Sequence, residues 1–185
     1  CHLIKTKGKA DYRVVLWDFG AKENILRELT KRGCDVYDAT ASTTADEILN
    51  LDPDGIMLSN GPGDPEDNAR VIEELKKLAV AKRPIFGICL GHQLLAIARG
   101  AKTGKMKYGH RGANQPVKDL ETGRIYISSQ NHGYEVLRES LPAGAEETFI
   151  NVNDGTCEGI TYRDIPAFTV QFHPEACAGP KDTEE

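Results

Sequence analysis

Up to Gly100 the chain repeats one pattern four times, a short apolar run followed by a stretch of helical period. This succession limits the fold more than any other feature. Arg13-Val14-Val15-Leu16-Trp17 precedes Ile25, Leu26 and Leu29 at helical spacing, with Gly33 as the stop. Asp35-Val36-Tyr37 leads to Thr44-Ala45-Asp46-Glu47, a capping box whose hydroxyl and carboxylate satisfy amides that a helix start leaves unpaired, and Pro53 marks the exit. Gly55-Ile56-Met57-Leu58-Ser59 runs into Asn60-Gly61-Pro62-Gly63-Asp64-Pro65, where Asp64 is placed to cap a helix starting at Pro65. Val71, Ile72, Leu75, Leu78 and Ala79 give that helix its apolar stripe. Pro84-Ile85-Phe86-Gly87-Ile88 passes without a loop into Cys89 and a helix carrying Leu90, Leu94, Leu95, Ile97 and Ala98, closed by Gly100. Continuous apolar strands are buried on both faces, so the expected fold is α/β, a doubly wound, mostly parallel sheet with helices on both faces.

Beyond Gly100 the texture becomes β-rich. Arg124–Ser128, Gly133–Val136, Thr148–Ile150, Gly159–Tyr162 and Ala167–Phe172 read as strands between turn signals such as Glu121-Thr122-Gly123 and Asn153-Asp154-Gly155. They are expected as antiparallel additions at the sheet edge. The 185 residues suffice for one domain with a proper core. Lys and Arg total 23 against 28 acidic residues, a net charge of −5 without a basic run, which argues against a nucleic-acid partner. No apolar stretch reaches the roughly 20 residues of a membrane span. The five cysteines, Cys1, Cys34, Cys89, Cys157 and Cys177, show no CxxC spacing. The expectation is therefore a soluble, cytoplasmic protein away from membranes.

The sharpest local feature is Gly87-Ile88-Cys89-Leu90-Gly91. A nucleophile on a strand-to-helix turn has a strained backbone, and small residues two before and two after it let neighbouring chains pass. In that reading the Cys89 sulfur stands exposed at a helix N-terminus, where the backbone dipoles favour a thiolate and Leu90 N–H can donate to an oxyanion. The same spacing also fits a structural cysteine buried in a tight strand–helix joint.

A thiol nucleophile needs a base, and His173 is the best placed of the five histidines. Phe168, Val170 and Phe172 alternate with Thr169 and Gln171, so His173 continues the polar face, and Pro174 keeps it extended. Glu175 then points the same way two residues later. Such a carboxylate fixes the imidazole tautomer and stabilises the imidazolium formed when it takes the thiol proton. Alone, His-Pro-Glu also fits a surface histidine before a turn; the elbow gives it chemical meaning. His92 is read as packed or exposed on its helix rather than catalytic, and His132 as part of a polar loop, Asn131-His132-Gly133, that lines a substrate pocket. No pair of histidines has HxxxH or HExxH spacing, so no metal is expected. Asn60-Gly61-Pro62-Gly63 lacks the Gly-Lys-Ser/Thr ending of a phosphate loop, and its glycines are read as letting backbone amides approach a substrate carbonyl or carboxylate.

Together, Ser59–Pro65, Phe86-Gly87-Ile88-Cys89-Leu90-Gly91-His92-Gln93 and Gln171-Phe172-His173-Pro174-Glu175 resemble the class I (triad) glutamine amidotransferases, in the right order and over essentially the whole chain. The fold implied is amidotransferase-like and flavodoxin-like. A finer resemblance, to the glutaminase domain of carbamoyl phosphate synthetase small subunits, rests on Trp17–Ile25, Lys107–Val117 and Ser129–Tyr134. The resemblance implies a Cys89–His173–Glu175 triad that releases ammonia from glutamine through a γ-glutamyl thioester. Gly61, Gly63, Leu90, Gln93, Asn131, Gly133 and Tyr134 would surround the substrate, with the Gly63 and Leu90 amides as oxyanion donors.

The implied partner is a carbamoyl phosphate synthetase large subunit, which uses the ammonia to make carbamoyl phosphate for arginine and pyrimidine biosynthesis. This domain would need no cofactor, with ATP, magnesium and bicarbonate on the large subunit. The alternatives are the glutaminase domain of an anthranilate, aminodeoxychorismate or GMP synthase, a weakly active regulatory domain, and, more distantly, a γ-glutamyl hydrolase. Residues 1–12 are read as a linker from a preceding domain, 13–178 as the amidotransferase domain and 179–185 as a polar tail cut short of the family's terminal helix. Cys177-Ala178-Gly179-Pro180 stands where the family pattern has Ser-Pro-Gly-Pro.

Overall fold

The computed structural model describes residues 2–5 and 9–176; Cys1, Cys177 and the tail 179–185 lie outside them. The first half alternates β2 (Tyr12–Asp18), α1 (Glu23–Lys31), β3 (Cys34–Thr40), α2 (Ala45–Leu49), β4 (Gly55–Leu58), α3 (Ala69–Val80), β5 (Ile85–Ile88) and α4 (Leu90–Ala98). A short β1 (His2–Ile4) precedes it. The second half adds β6 (Thr103–Asp119), β7 (Ile125–Val136), β8 (Ala145–Asn151), β9 (Cys157–Tyr162) and β10 (Ala167–Val170). All join one 10-stranded sheet in the order β1-β3-β2-β4-β5-β10-β9-β8-β6-β7. Its centre, β3-β2-β4-β5-β10, is parallel, as expected from the β–α succession.

Period-2 alternation along each central strand divides the core into two layers. Val15, Trp17, Ile56 and Leu58 face one side, where α2, α3 and α4 contribute Ile48, Leu75, Leu78, Leu94 and Leu95. Leu16, Val36 and Met57 face the other, against Ile25 of α1. Gly33 adopts φ +83 just after α1, the left-handed geometry of a helix stop. The capping box is in place, with Glu47 N–H donating to Thr44 Oγ1 at 3.3 Å and Thr44 N–H to Glu47 Oε2 at 2.8 Å. Among the described residues no helix is long and apolar enough to cross a membrane.

Several expectations about individual segments change. The helix expected from Pro65 opens as a 3-10 turn, Pro65–Asn68, and becomes α-helical only at Ala69. The Asn68 side chain donates to the Asp64 and Pro65 carbonyls and tightens this first turn. The run at 167–170 is not an antiparallel addition but the last parallel strand, paired with β5; the antiparallel additions are β9, β8, β6 and β7. Asn131-His132-Gly133 is not a loop, since β7 runs unbroken through it against the long β6. The β6 segment, rich in glycine and charge, escapes periodicity because its pairing shifts register twice. At one shift Gly109 (φ +71) lies where a Cβ would stand 2.3 Å from the His132 carbonyl oxygen. His2–Ile4, inside the stretch read as a linker, pairs antiparallel with β3.

The β5–α4 joint is a close contact at the end of the parallel strands. Cys89 takes φ +52 and ψ −102, a conformation that a side chain rarely adopts. A Cβ on Gly91 would lie 2.5 Å from the Leu58 carbonyl oxygen, and one on Gly87 would lie 3.0 Å from the Gly91 backbone. These glycines let α4 start directly against β4. Gly91→Ala must push backbone against backbone, and a loss of about 1–3 kcal/mol of stability is expected, the usual scale of overpacking. Urea unfolding with an unchanged m-value would report it.

Candidate active site

Cys89 follows β5, and His173 lies three residues past β10, the strand beside it. Register pairs Ile88 with Val170, and Cys89 N–H donates to the Val170 carbonyl at 2.9 Å, so the thiol and the His-Pro-Glu segment leave the sheet at one edge. That is the carboxyl edge of the parallel strands, where doubly wound folds place ligands. His173 N–H donates to Ser129 O at 2.9 Å and brings β7 to the same place. His173 Nδ1 lies 2.8 Å from Glu175 Oε1, while Nε2 is buried without a protein partner. An imidazole that donates Nδ1–H to a carboxylate keeps its lone pair on Nε2, the state required of a base.

Glu175 is 5% exposed. Burial alone would raise its pKa, but the hydrogen bond from His173, together with Lys22 Nζ at 3.6 Å, holds it below the ordinary carboxylate value. The Asn24 side-chain amide donates to the Glu175 carbonyl and ties the turn to the start of α1. Neither Lys22 nor Asn24 is signalled by local sequence, because the fold makes the contact across 151 positions in the case of Asn24.

The sulfur departs from expectation. Cys89 is 5% exposed, so it does not stand out at the helix N-terminus. Burial pushes its pKa up to about 12; the Leu90 N–H hydrogen bond opposes this, and the nearby Glu175 charge adds to it. Desolvation thus outweighs the helix dipole, and the resting group is a thiol. Such a thiol becomes a nucleophile only when a neighbouring base takes its proton during the reaction.

The residues expected around a substrate fall into distinct situations. Gly61 is needed by packing, since a Cβ there would meet the Phe19 carbonyl oxygen at 2.4 Å and Leu90 Cδ2 at 2.8 Å. This contact joins the Gly61-Pro62-Gly63 loop to the elbow. Gly63 adopts φ +97 with open space where a Cβ would point, leaving its backbone accessible. Leu90 is buried, and its amide faces the Cys89 sulfur. The buried Gln93 side chain donates to Tyr134 O and to Gln171 Oε1, both at 2.9 Å. Asn131 is exposed and pairs with Arg111 across β6 and β7. Gly133 and Tyr134 are half-buried, and the Tyr134 hydroxyl lies near the Asp64 carboxylate, which raises its pKa and sets β7 beside the loop after β4. His92 is wholly buried with Nδ1 at 2.7 Å from Thr169 Oγ1, and burial lowers its pKa to about 3, so it is a neutral packing group.

A second polar cluster has no sequence signature. The ligating atoms of His110, His132 and Glu158 lie within 4.8 Å of one another, the one group among the described residues spaced for a metal ion. The Gln130 carboxamide oxygen already sits between the imidazoles, 3.0 Å from His110 Nδ1 and 2.8 Å from His132 Nε2, so these atoms are engaged by the protein itself. Burial opposes a charge on His110, but hydrogen bonds to Glu158 and Asp154 outweigh it and raise the pKa from 6.5 to about 9. A raised folded-state pKa contributes stability that is complete below about 6.5 and lost as pH climbs through about 9. Thermal unfolding between pH 6 and 10 should therefore show an alkaline decline in the wild type that is much reduced in His110→Asn.

A family model described as "Glutamine amidotransferase class-I" matches residues 15–185. The carbamoyl phosphate synthase small chain of Symbiobacterium thermophilum is 58% identical over 171 residues, 92% of this chain and 47% of that protein. Its counterpart in Bacillus cereus is 59% identical over 175 residues, 94% of this chain and 48% of that protein. The chain thus spans about half the length of these relatives. Among solved structures, a putative GMP synthase component from Thermoplasma acidophilum superposes with a TM-score of 0.79 at 22% identity, covering 90% of this chain and 85% of that one. A glutamine amidotransferase from Thermotoga maritima gives 0.66 at 23% identity, covering 89% and 76%. At those identities the likeness is one of fold.

Proposed function

The chain belongs to the class I glutamine amidotransferases, and on that premise we propose that it hydrolyses glutamine at Cys89 and passes the ammonia to a carbamoyl phosphate synthetase large subunit. The observation that carries the reading is the buried His173–Glu175 pair at 2.8 Å, just past the end of the strand beside the Cys89 elbow, with His173 Nε2 unpartnered. His173 Nε2 takes the Cys89 proton as sulfur attacks the side-chain carbonyl carbon of glutamine. Glu175 stabilises the imidazolium, and the amides of Leu90 and Gly63 donate to the oxyanion. Collapse of the tetrahedral adduct breaks the carbon–nitrogen bond, and His173 returns the proton to the departing ammonia. Water, deprotonated by the same imidazole, then cleaves the γ-glutamyl thioester to glutamate and regenerates the thiol.

Gly61, Gln93, Asn131, Gly133 and Tyr134 are proposed to enclose the substrate, a reading supported by the Gly61–Leu90, Gln93–Tyr134 and Tyr134–Asp64 contacts that draw their segments together. A thiol, an imidazole, a carboxylate and backbone amides suffice for amide hydrolysis, so ATP, magnesium and bicarbonate are assigned to the partner. Identity near 58% with carbamoyl phosphate synthase small chains favours this acceptor over anthranilate, aminodeoxychorismate or GMP synthases. We read the chemistry as part of arginine and pyrimidine biosynthesis, and as cytoplasmic.

In the full-length protein, a glutamine-shaped chloroketone should label Cys89 alone. Cys89→Ser should lower ammonia release at least about a thousandfold, the scale of losing a triad nucleophile. Carbamoyl phosphate formation from glutamine by the assembled synthetase should fall with it, while formation from added ammonia persists. Unchanged ammonia release in Cys89→Ser would refute the assignment.

A further inference from the structure

The buried cluster beneath β6, β7 and β9 has no part in the chemistry above, yet it reaches the site through an unbroken series of contacts. His110 Nε2 lies 2.8 Å from Asp154 Oδ2, and Nδ1 lies 3.0 Å from Gln130 Oε1 and 3.2 Å from Glu158 Oε1. A carboxylate oxygen faces each ring nitrogen, closer than the Asn151 amide at 3.5 Å from Nδ1, so both nitrogens carry hydrogen and the ring is an imidazolium. Its ring edge meets that of His132 with centroids 4.9 Å apart, and Glu135 of β7 also feels its charge. Glu158 has no exposed surface, and apart from His110 its carboxylate has only the Asn151 amide at 3.4 Å and the Gln130 amide near it. Removing the cation would leave a buried carboxylate uncompensated, which proteins tolerate poorly.

From this clamp the contacts run towards the elbow. Gln130 Oε1 lies 2.8 Å from His132 Nε2, and His132 Nδ1 lies 2.8 Å from the Tyr134 carbonyl; burial lowers the His132 pKa to about 4, so the neutral ring donates its one N–H to one of these two acceptors and packs against the other. The Tyr134 carbonyl accepts from Gln93, on the first turn of the helix that starts after Cys89. The proposed glutamine-holding residues 131, 133 and 134 alternate with these anchors along a single strand. Backbone there cannot shift without breaking a charge-assisted bond at one end or the Gln93 bond at the other.

We propose that His110 is a positioning residue for the glutamine pocket: clamped between Asp154 and Glu158, it fixes Gln130 and His132, and through them the Asn131–Tyr134 backbone that receives the substrate. The proposal rests on the glutamine reading of the site. A carboxamide-holding strand set by a buried ion pair explains why a charged group is kept inside this buried polar cluster.

Alkylation of Cys89 in the full-length protein by two reagents tests it, one a glutamine-shaped chloroketone and the other iodoacetamide. The variants are His110→Asn and, should that one fail to fold, Asp154→Asn, which removes one arm of the clamp at a partly exposed turn. Both should lower the chloroketone rate roughly tenfold or more, the scale of one charge-assisted hydrogen bond, and raise the KM for glutamine, while the iodoacetamide rate stays near wild type. Equal slowing with both reagents would mean a merely structural role and overturn the proposal. So would a wild-type preference for the chloroketone that the variants keep, or stoichiometric zinc in the wild type that His110→Asn loses. A wild type with no preference for the chloroketone would overturn the glutamine reading and this proposal together.

Discussion

The structure depends on how closely one helix start can approach one strand end. Gly91 lets the first turn of α4 rest against Leu58 at the end of β4, and its N–H donates to the Ser59 carbonyl at 3.1 Å. With no room for a loop, the chain turns within one residue, and that residue, Cys89, is held at positive φ. Backbone strain of this kind persists only when its surroundings over-determine it, and here β4, β10 and α4 do so together. The consequence is chemical: a thiol is set at the carboxyl edge of the sheet beside the strand that leads to His173.

Burial then decides how this site works. A helix N-terminus favours negative charge, but Cys89 and Glu175 both lie away from water, and for the sulfur desolvation is the larger effect. The free enzyme therefore rests with its thiol protonated. Glu175, equally buried, stays ionised because His173 and Lys22 compensate it. One buried group is neutral and the other charged, so in the proposed mechanism proton transfer awaits a substrate whose developing oxyanion completes the charge balance. The His110 clamp follows the same rule at a distance, a buried charge retained only where carboxylates meet both ring nitrogens.

Much of this is legible in the residues. The β–α succession predicts the parallel centre, Thr44 and Glu47 the capping box, and Gly87 and Gly91 the elbow, because each depends on neighbours close in sequence. Strand alternation suggests the His173–Glu175 pair, but β10 ends at Val170 and it is a turn through Pro174 and Glu175 that brings the two side chains to 2.8 Å. What escapes is long-range: Lys22 and Asn24 against Glu175, the burial of Cys89, and the whole of β6, whose glycines and register shifts erase the period-2 signal. His132 reads as a loop residue because asparagine and glycine flank it. In the folded chain Gly109 admits the His132 carbonyl, and the strand continues through what composition marks as a turn.

The central claim is that Cys89, and no other cysteine, carries the acyl group during glutamine hydrolysis. Rapid acid quenching of the full-length protein mixed with glutamine, followed by mass spectrometry of its peptides, tests this most directly. A γ-glutamyl adduct is expected on the peptide containing Cys89, absent from Cys89→Ser and absent without glutamine. Ammonia release at the wild-type rate with the adduct on another cysteine, or with Cys89 replaced, would contradict it.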